Sequence, residues 1–290
     1  MSLRLIAKLD VKGPNLVKGI HMEGLRVLGR PEDFAGIYYS EGIDELVYID
    51  VVASLYQRNS LFEIIERTSR EVFIPLTVGG GIRTIEDIRR VLNAGADKVA
   101  LNTAAIKRPD FIREAAQRFG SSTIIVSVEV SRKPDGSYEA YTDNGRERTG
   151  VEAIHWARRA ADLGAGEIMV TSIDQEGTGR GFDLDLMKHV SGRVTVPVIA
   201  CGGGGEARHI QAVVSEANVD AVCLASLLHY SVLRRQQPTD VGELLEGNTE
   251  YLRSPKDFSL IQPATISGLK RSLLSAGIPC RPPIGAALHV

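Results

Sequence analysis

Two runs of glycine stand at corresponding positions in the two halves of this 290-residue sequence. Gly79–Gly81 and Gly202–Gly205 each follow a short apolar, β-branched segment. Because glycine has no Cβ, the backbone N–H groups of such a run can approach an anion closely. We therefore expect two phosphate sites and a ligand with a phosphate at each end. The residues expected to bind these phosphates are Gly80, Gly81, Asn102 and Thr103 in the first half, and Gly202, Gly203, Ala225 and Ser226 in the second.

Two carboxyl residues, Asp10 and Glu129, end equivalent apolar segments of the two halves. Carboxyls on opposite sides of a bound ligand suit general acid–base catalysis, because each can serve a different proton. Lys18, in the segment 12–19 that we expect to be a loop, is placed to clamp a phosphate from above. Asp174 and Gly177 follow the sixth segment and offer the ligand further polar and backbone groups.

Four charged residues begin apolar segments, at the end opposite to the glycine runs. They are Arg4, Glu45, Lys98 and Glu167. Charges at the N-terminal face of a barrel of parallel strands are usually solvated. Two basic and two acidic residues would also suit a neutralised ring around a barrel axis, so both interpretations stay open.

Eight short apolar segments alternate with longer amphipathic stretches along the chain. Such alternation predicts parallel strands, and eight strand–helix units predict a single (β/α)8 (TIM) barrel over residues 1–290. Ile74–Gly81 matches Val196–Gly203 at an offset of 122 residues, so the barrel is expected to be a doubled half-barrel. The predicted strands are residues 5–10, 45–50, 74–78, 98–101, 123–129, 167–171, 196–200 and 221–225.

One segment, residues 231–264, interrupts this alternation after the eighth strand. It is rich in Gln, Pro, Glu, Gly and Asn, which predicts an inserted loop at the catalytic face with at most a helical turn. One interpretation is an insertion that is tolerated at the surface, because lengthening a loop costs little loop-closure entropy. The alternative is a lid or a wall that selects the substrate.

Composition excludes several classes of protein. The formal net charge is −2 and the pI is about 6.3, so we expect no nucleic-acid or membrane partner. The three cysteines, Cys201, Cys223 and Cys280, lack metal-ligand spacing and are expected to be reduced thiols. The first residues carry no signal-peptide pattern. We expect a cytoplasmic enzyme that needs no metal and no cofactor.

These motifs resemble the cyclase subunit (HisF) family of imidazole glycerol phosphate synthase, an enzyme of histidine biosynthesis. The most similar stretches are Leu9–Lys12, Leu76–Arg83, Ala96–Val99 and Gly164–Thr178. The resemblance implies an ammonia-dependent lyase that converts a bisphosphorylated ribonucleotide to imidazole glycerol phosphate and an aminoimidazole carboxamide ribotide. It also implies a glutaminase subunit docked on the N-terminal face, and an ammonia gate formed by Arg4, Glu45, Lys98 and Glu167.

Five residues depart from the family pattern: Lys8, Ser122, Glu129, Glu176 and Cys201. Glu129 stands where the family has an aspartate, and Lys8 stands where it has a cysteine. By strand alternation Lys8 points into the same interior as Asp10, and a buried lysine needs a partner. Glu129 and Asp10 are the candidate partners, and of the two we expect a Lys8–Glu129 ion pair. The departures leave two alternatives open: a paralogue that channels ammonia for acetamidino-sugar synthesis in surface polysaccharides, and a noncatalytic scaffold that activates a glutaminase.

Overall fold

The structure, a computed structural model, describes residues 2–53, 61–235, 247–253 and 260–285. Within these ranges buried strands alternate with helices along the chain. Eight of the strands pair in parallel, and the last returns to the first, where Ala221 lies beside Arg4. The prediction of a (β/α)8 barrel is confirmed.

The barrel strands follow one another around the axis in chain order. They are β1 (Arg4–Lys12), β4 (Glu45–Asp50), β5 (Leu76–Gly79), β6 (Lys98–Leu101), β7 (Ile124–Arg132), β10 (Glu167–Ser172), β11 (Val198–Cys201) and β12 (Ala221–Leu224). Two predicted strands begin two residues later than expected, at Leu76 and Val198. Each follows a proline, which has no N–H to donate to the neighbouring strand.

Helices alternate with these strands, and most of them cover the outside of the barrel. They are α1 (Pro31–Ser40), α2 (Phe62–Glu71), α3 (Ile85–Asn93), α4 (Thr103–Lys107), α5 (Asp110–Phe119), α6 (Ala153–Asp162), α7 (Leu184–Ser191), α8 (Ala207–Ala217), α9 (Ser226–Arg235), α10 (Glu250–Arg253) and α11 (Ile266–Ser275). Local side-chain bonds stabilise helix starts: Thr84 and Asp87 form a reciprocal capping box before α3. No helix in the described ranges is long and apolar enough to cross a membrane.

Alternation along β1 separates two apolar regions. Leu5, Ala7 and Leu9 pack outward in the main core beneath the helices, while Ile6 belongs to a second cluster inside the barrel. The second cluster comprises Ile6, Val47, Ala100, Ile125, Met169, Ile199, Cys201, Ala221 and Cys223. Residues two apart on β1 share a face, so this pattern carries Lys8 and Asp10 into the interior.

Each half of the barrel carries an additional β-hairpin. β2 (Asn15–Ile20) and β3 (Glu23–Gly29) follow β1, and β8 (Tyr138–Thr142) and β9 (Glu147–Glu152) follow β7. The expectation of a loop over residues 12–19 is therefore wrong. Asn15–Ile20 pairs with β1 and β3 instead, because His21 and Met22 take positive φ and close a two-residue hairpin turn.

The segment 231–264 begins inside a helix, because α9 continues to Arg235. Residues 236–246 and 254–259 of this segment lie outside the described residues. The described parts pack on the rim of the barrel: Asn248 accepts a hydrogen bond from the N–H of Val27 (2.9 Å), and the N–H of Gln262 donates to Gly205 (2.8 Å). This segment therefore contacts both the first hairpin and the second glycine run.

The last helix is anchored to the barrel by a buried lysine. Lys270 has no exposed surface, and its Nζ lies 2.7 Å from Asp44 Oδ1 and 2.8 Å from the carbonyl oxygen of Gly42. Asp44 also accepts a hydrogen bond from the N–H of Leu5 (2.8 Å). The pair thus joins α11 to the N-terminal ends of β1 and β4.

We predict that Lys270→Met destabilises the protein by about 2 kcal/mol, because Asp44 loses its buried counterion and keeps only the half-exposed Arg281, 2.9 Å away. The free energy of unfolding, measured by urea denaturation, checks this. Lys188→Met, which removes an exposed pair with Glu216, is the control and should change stability by less than about 1 kcal/mol. Equal effects of the two substitutions would contradict the structural role of Lys270.

Candidate active site

A closed ring of ion pairs lies at the N-terminal end of the barrel. Arg4 donates to Glu45 (2.7 Å) and to Glu167 (2.5 Å), and Lys98 Nζ lies 2.6 Å from Glu167 and 3.4 Å from Glu45. Burial alone would raise the pKa of Glu167, but the hydrogen bonds from Arg4 and Lys98 outweigh it and lower that pKa. The four charges therefore neutralise one another around the axis, and they are not separate solvated groups.

Lys8 and Asp10 form an ion pair inside the barrel. Their Nζ and Oδ1 atoms lie 2.8 Å apart, and both side chains are buried. Burial would lower the pKa of Lys8, but Asp10 and then Glu176 outweigh it and hold that pKa well above its usual value. The expectation of a Lys8–Glu129 ion pair is wrong. Asp10 is only two residues away on the same strand, so both side chains reach the interior from one side.

Lys18, on β2 of the first hairpin, is buried. Its Nζ is paired with Glu176 and lies 3.9 Å from Asp10 Oδ2. Burial alone would raise the pKa of Glu176, but Lys18 and then Lys8 lower it to about 2. Lys18 therefore does not lie above the mouth as an unpaired clamp, but forms part of a buried network of two cations and two anions.

Glu129 lies in the mouth on β7, separated from Asp10 on β1 by three barrel strands on either side. Its Oε2 accepts a hydrogen bond from the N–H of Gly145 (2.8 Å), in the turn of the second hairpin. Burial raises the pKa of Glu129 to about 7, despite the opposing effects of this hydrogen bond and of Lys8. A carboxyl with such a pKa can give or take a proton near neutral pH.

The first glycine run opens into a cavity of about 290 Å³. Gly80 and Gly81 have positive φ (97° and 70°), and a Cβ on Gly80 would collide with the backbone oxygen of Asp50. The sequence-predicted residues Gly80, Gly81, Asn102 and Thr103 all line this cavity, together with Glu129. The structure thus brings the first expected phosphate site and one candidate catalytic carboxyl into a single space.

The second glycine run surrounds a much smaller cavity of about 20 Å³. A Cβ on Gly203 would collide with the backbone oxygen of Gly181, so only glycine fits there. This volume holds about one water molecule. The predicted residues that line the cavity are Gly177, Gly202, Gly203, Ala225 and Ser226, together with Lys8 and Glu176, which sequence reasoning did not place there.

Asp174 does not line either cavity. Its carboxylate accepts hydrogen bonds from the hydroxyl of Ser131 (2.9 Å) and from the N–H of Arg132 (2.8 Å). These bonds tie the loop after β10 to the end of β7. In the structure Asp174 therefore positions a loop of the rim, and a direct contact with the ligand stays a prediction.

The turns of the two hairpins meet over the mouth. A Cβ on Gly145 would lie 2.8 Å from Met22 Sδ, so the tips of the first and second hairpins are in close contact. The second turn also contributes Asp143 and Asn144 to the large cavity. Sequence reasoning missed these residues, although Asp143-Asn144-Gly145 after the alternating segment Tyr138–Thr142 is a recognisable hairpin signal.

The chain is similar in sequence to known proteins of histidine biosynthesis. The model of the histidine biosynthesis protein family matches residues 4–234. The imidazole glycerol phosphate synthase subunit HisF of Legionella pneumophila is 57% identical over 205 residues, which cover 71% of this chain and 97% of the relative. The HisF subunit of Streptomyces coelicolor is 48% identical over 234 residues (81% and 93%), and that of Alkaliphilus metalliredigens is 46% identical over 228 residues (79% and 90%).

The raised pKa of Glu129 predicts a pH-dependent cost to stability. Folding raises this pKa from 4.5 to about 7, so between these values the folded state binds a proton that the unfolded state releases. The free energy of unfolding therefore falls as pH rises through this window. Glu129→Gln should recover on the order of 3 kcal/mol at pH 8 and little at pH 4.

Urea denaturation of the wild type and the variant at both pH values checks this prediction. Glu63→Gln, which changes an exposed carboxyl on α2, is the matched control. If the free energy of unfolding changes with pH in the same way in the wild type and in Glu129→Gln, Glu129 titrates normally and the prediction is wrong.

Proposed function

This chain belongs to the histidine biosynthesis protein family, and we propose that it is the cyclase subunit of an imidazole glycerol phosphate synthase. Its reaction would be the ammonia-dependent conversion of a bisphosphorylated ribonucleotide to imidazole glycerol phosphate and an aminoimidazole carboxamide ribotide. The three relatives are named as subunits of that synthase, which favours the cyclase over a polysaccharide paralogue or a noncatalytic scaffold.

One observation carries the proposal: two glycine-lined cavities flank a mouth that holds two candidate catalytic carboxyls. Gly80 and Gly81 line one cavity, and Gly202 and Gly203 line the other. Asp10 and Glu129 lie between them on β1 and β7. A ligand with a phosphate in each cavity would stretch across both carboxyls, which is the arrangement that acid–base chemistry in the middle of the ligand requires.

The two carboxyls would play different parts. The pKa of Glu129, about 7, suits a group that delivers a proton when the ligand ring closes or a bond to nitrogen breaks. Asp10, beside the ammonium of Lys8, suits the base that removes a proton. Lys18 would exchange its carboxylate partners for the ligand phosphate when the second cavity opens.

The second cavity must enlarge to take a phosphate, because its present volume holds about one water molecule. Two contacts hold Glu176, which lines this cavity: its pairing with Lys18 and the hydrogen bond from the N–H of His21 to its carbonyl oxygen (2.8 Å). Both contacts come from the first hairpin. We therefore expect this hairpin to shift when the ligand binds.

Ammonia would enter from the opposite end. The ring of Arg4, Glu45, Lys98 and Glu167 encircles the axis below the apolar interior cluster, and a small neutral molecule that passes it would arrive beneath the two carboxyls. The relatives are named as subunits, which supports a partner protein. A glutaminase seated on this N-terminal face would supply ammonia directly to the ring.

The deciding assay mixes the purified protein, the bisphosphorylated substrate and excess ammonium salt. We expect formation of imidazole glycerol phosphate, lowered at least about 100-fold by Asp10→Asn because a positioned acid–base group contributes about that factor or more. The exposed substitution Lys188→Met is the control and should retain full turnover. Tight binding of the substrate without turnover by the wild type would overturn the proposal.

The ring makes a separate prediction. Lys98→Met leaves Glu45 and Glu167 with one cation between them, so the ring loses its neutrality and its closed geometry. We expect the ratio of glutamine-dependent to ammonium-dependent turnover to fall in complex with the glutaminase subunit, while ammonium-dependent turnover changes little. An unchanged ratio would show that the ring does not control the passage of ammonia.

A further inference from the structure

The ion pair between Lys8 and Asp10 places the two carboxyls of the mouth in different electrostatic surroundings. We propose that Lys8 is a positioning residue of this site: its ammonium group balances Asp10 inside the barrel and makes it easier for Glu129 to release its proton. The roles assigned to the two carboxyls rest on the proposed cyclase function. The charge assignment itself rests on the geometry of the unliganded protein.

The contacts of Asp10 identify Lys8 as its principal counterion. Lys8 Nζ lies 2.8 Å from Asp10 Oδ1, and the two side chains are only 7% and 9% exposed. The second cation, Lys18, lies farther away, 3.9 Å from Asp10 Oδ2, and is paired with Glu176. A carboxylate buried to this degree is stable only beside a compensating charge, and Lys8 supplies it.

Charged and titratable groups face Lys8 from several elements. They are Asp10 on β1, Lys18 on β2, Glu129 on β7, Glu176 after β10, Cys201 on β11, Cys223 on β12 and His229 on α9. Burial, then Lys18 and Lys8, lower the pKa of His229 to about 3, so this histidine stays neutral. The raised pKa of Lys8 itself keeps its amine protonated. Lys8 therefore contributes a fixed positive charge and is neither a base nor a nucleophile at neutral pH.

This positive charge is placed unequally between the two carboxyls. Lys8 is in direct contact with Asp10, whereas its effect on Glu129 is smaller than that of burial. The negative charge of Asp10 adds to the rise in the pKa of Glu129. When two carboxyls share a site, the one with the nearer cation keeps its charge and the other takes the proton. The asymmetry between a base and an acid is thus present before the ligand binds.

The test compares the titration of Glu129 in the full-length wild type and in Lys8→Met. Carbon-13 NMR of protein labelled at the glutamate carboxyls follows Glu129, and Glu129→Gln assigns its signal. We expect the midpoint, near pH 7 in the wild type, to rise by about 1 to 3 pH units in Lys8→Met, because a cation within interaction distance is lost. In the double variant Lys8→Met/Asp10→Asn both opposing charges are gone, so the midpoint should return toward the wild-type value.

An identical midpoint in wild type and Lys8→Met would overturn the proposal. Should Lys8→Met fail to fold, Asp10→Asn alone remains informative: it removes the negative charge and keeps Lys8, so the midpoint must fall below that of the wild type. A midpoint that stays unchanged or rises in this variant would equally overturn the assignment.

Kinetics separate positioning from direct binding. We expect Lys8→Met to lower kcat and to move the alkaline limb of the pH–rate profile upward together with the NMR midpoint. A raised KM with an unchanged profile would instead make Lys8 a ligand of the second phosphate and overturn the proposal. The NMR titration needs no substrate, so a wild type without cyclase turnover would refute the proposed function without deciding the role of Lys8.

Discussion

Charge neutralisation inside the barrel is the constraint on which the site depends. Lys8, Asp10, Lys18 and Glu176 are all buried, and an unpaired charge in such surroundings would cost several kcal/mol. Each of these cations faces a carboxylate, so the group as a whole is neutral. Glu129 stands outside these pairs, and burial raises its pKa to about 7 against the opposing effects of the Gly145 N–H and Lys8. The carboxyl to which we assign proton transfer is thus the one left out of the ion pairing.

The same constraint applies along the axis of the barrel. The ring at the N-terminal end is neutral, the interior cluster above it is apolar, and the network in the mouth is neutral again. A neutral small molecule meets no net charge along this path, whereas an ion would lose its hydration shell at the apolar layer. Under the proposed function, this arrangement would favour ammonia over ammonium as the species that reaches the mouth.

The sequence predicted the barrel and both glycine-lined sites, because these follow from local patterns. A Cβ on Gly203 would collide with the backbone of Gly181, so this position requires glycine. A glycine run in the sequence therefore marks the site. The ring could also be predicted, because each of its four charged residues begins a barrel strand. The partner of Lys8 could not be predicted, because strand alternation gives the face on which a side chain lies but not which of two nearby carboxyls it contacts. The closed state of the second cavity depends on how the hairpins pack, which no local pattern encodes.

The central claim is that one ligand is held by a phosphate at each end, across the two carboxyls. Phosphorus-31 NMR of the bisphosphorylated substrate, titrated with the protein in the absence of ammonia, tests it most directly. We expect both phosphorus resonances to shift with a single dissociation constant. In Gly203→Ala, the resonance of the phosphate in the second cavity should shift less than the other at the same protein concentration. A shift of only one resonance, with the other unchanged at saturation, would contradict the two-ended site.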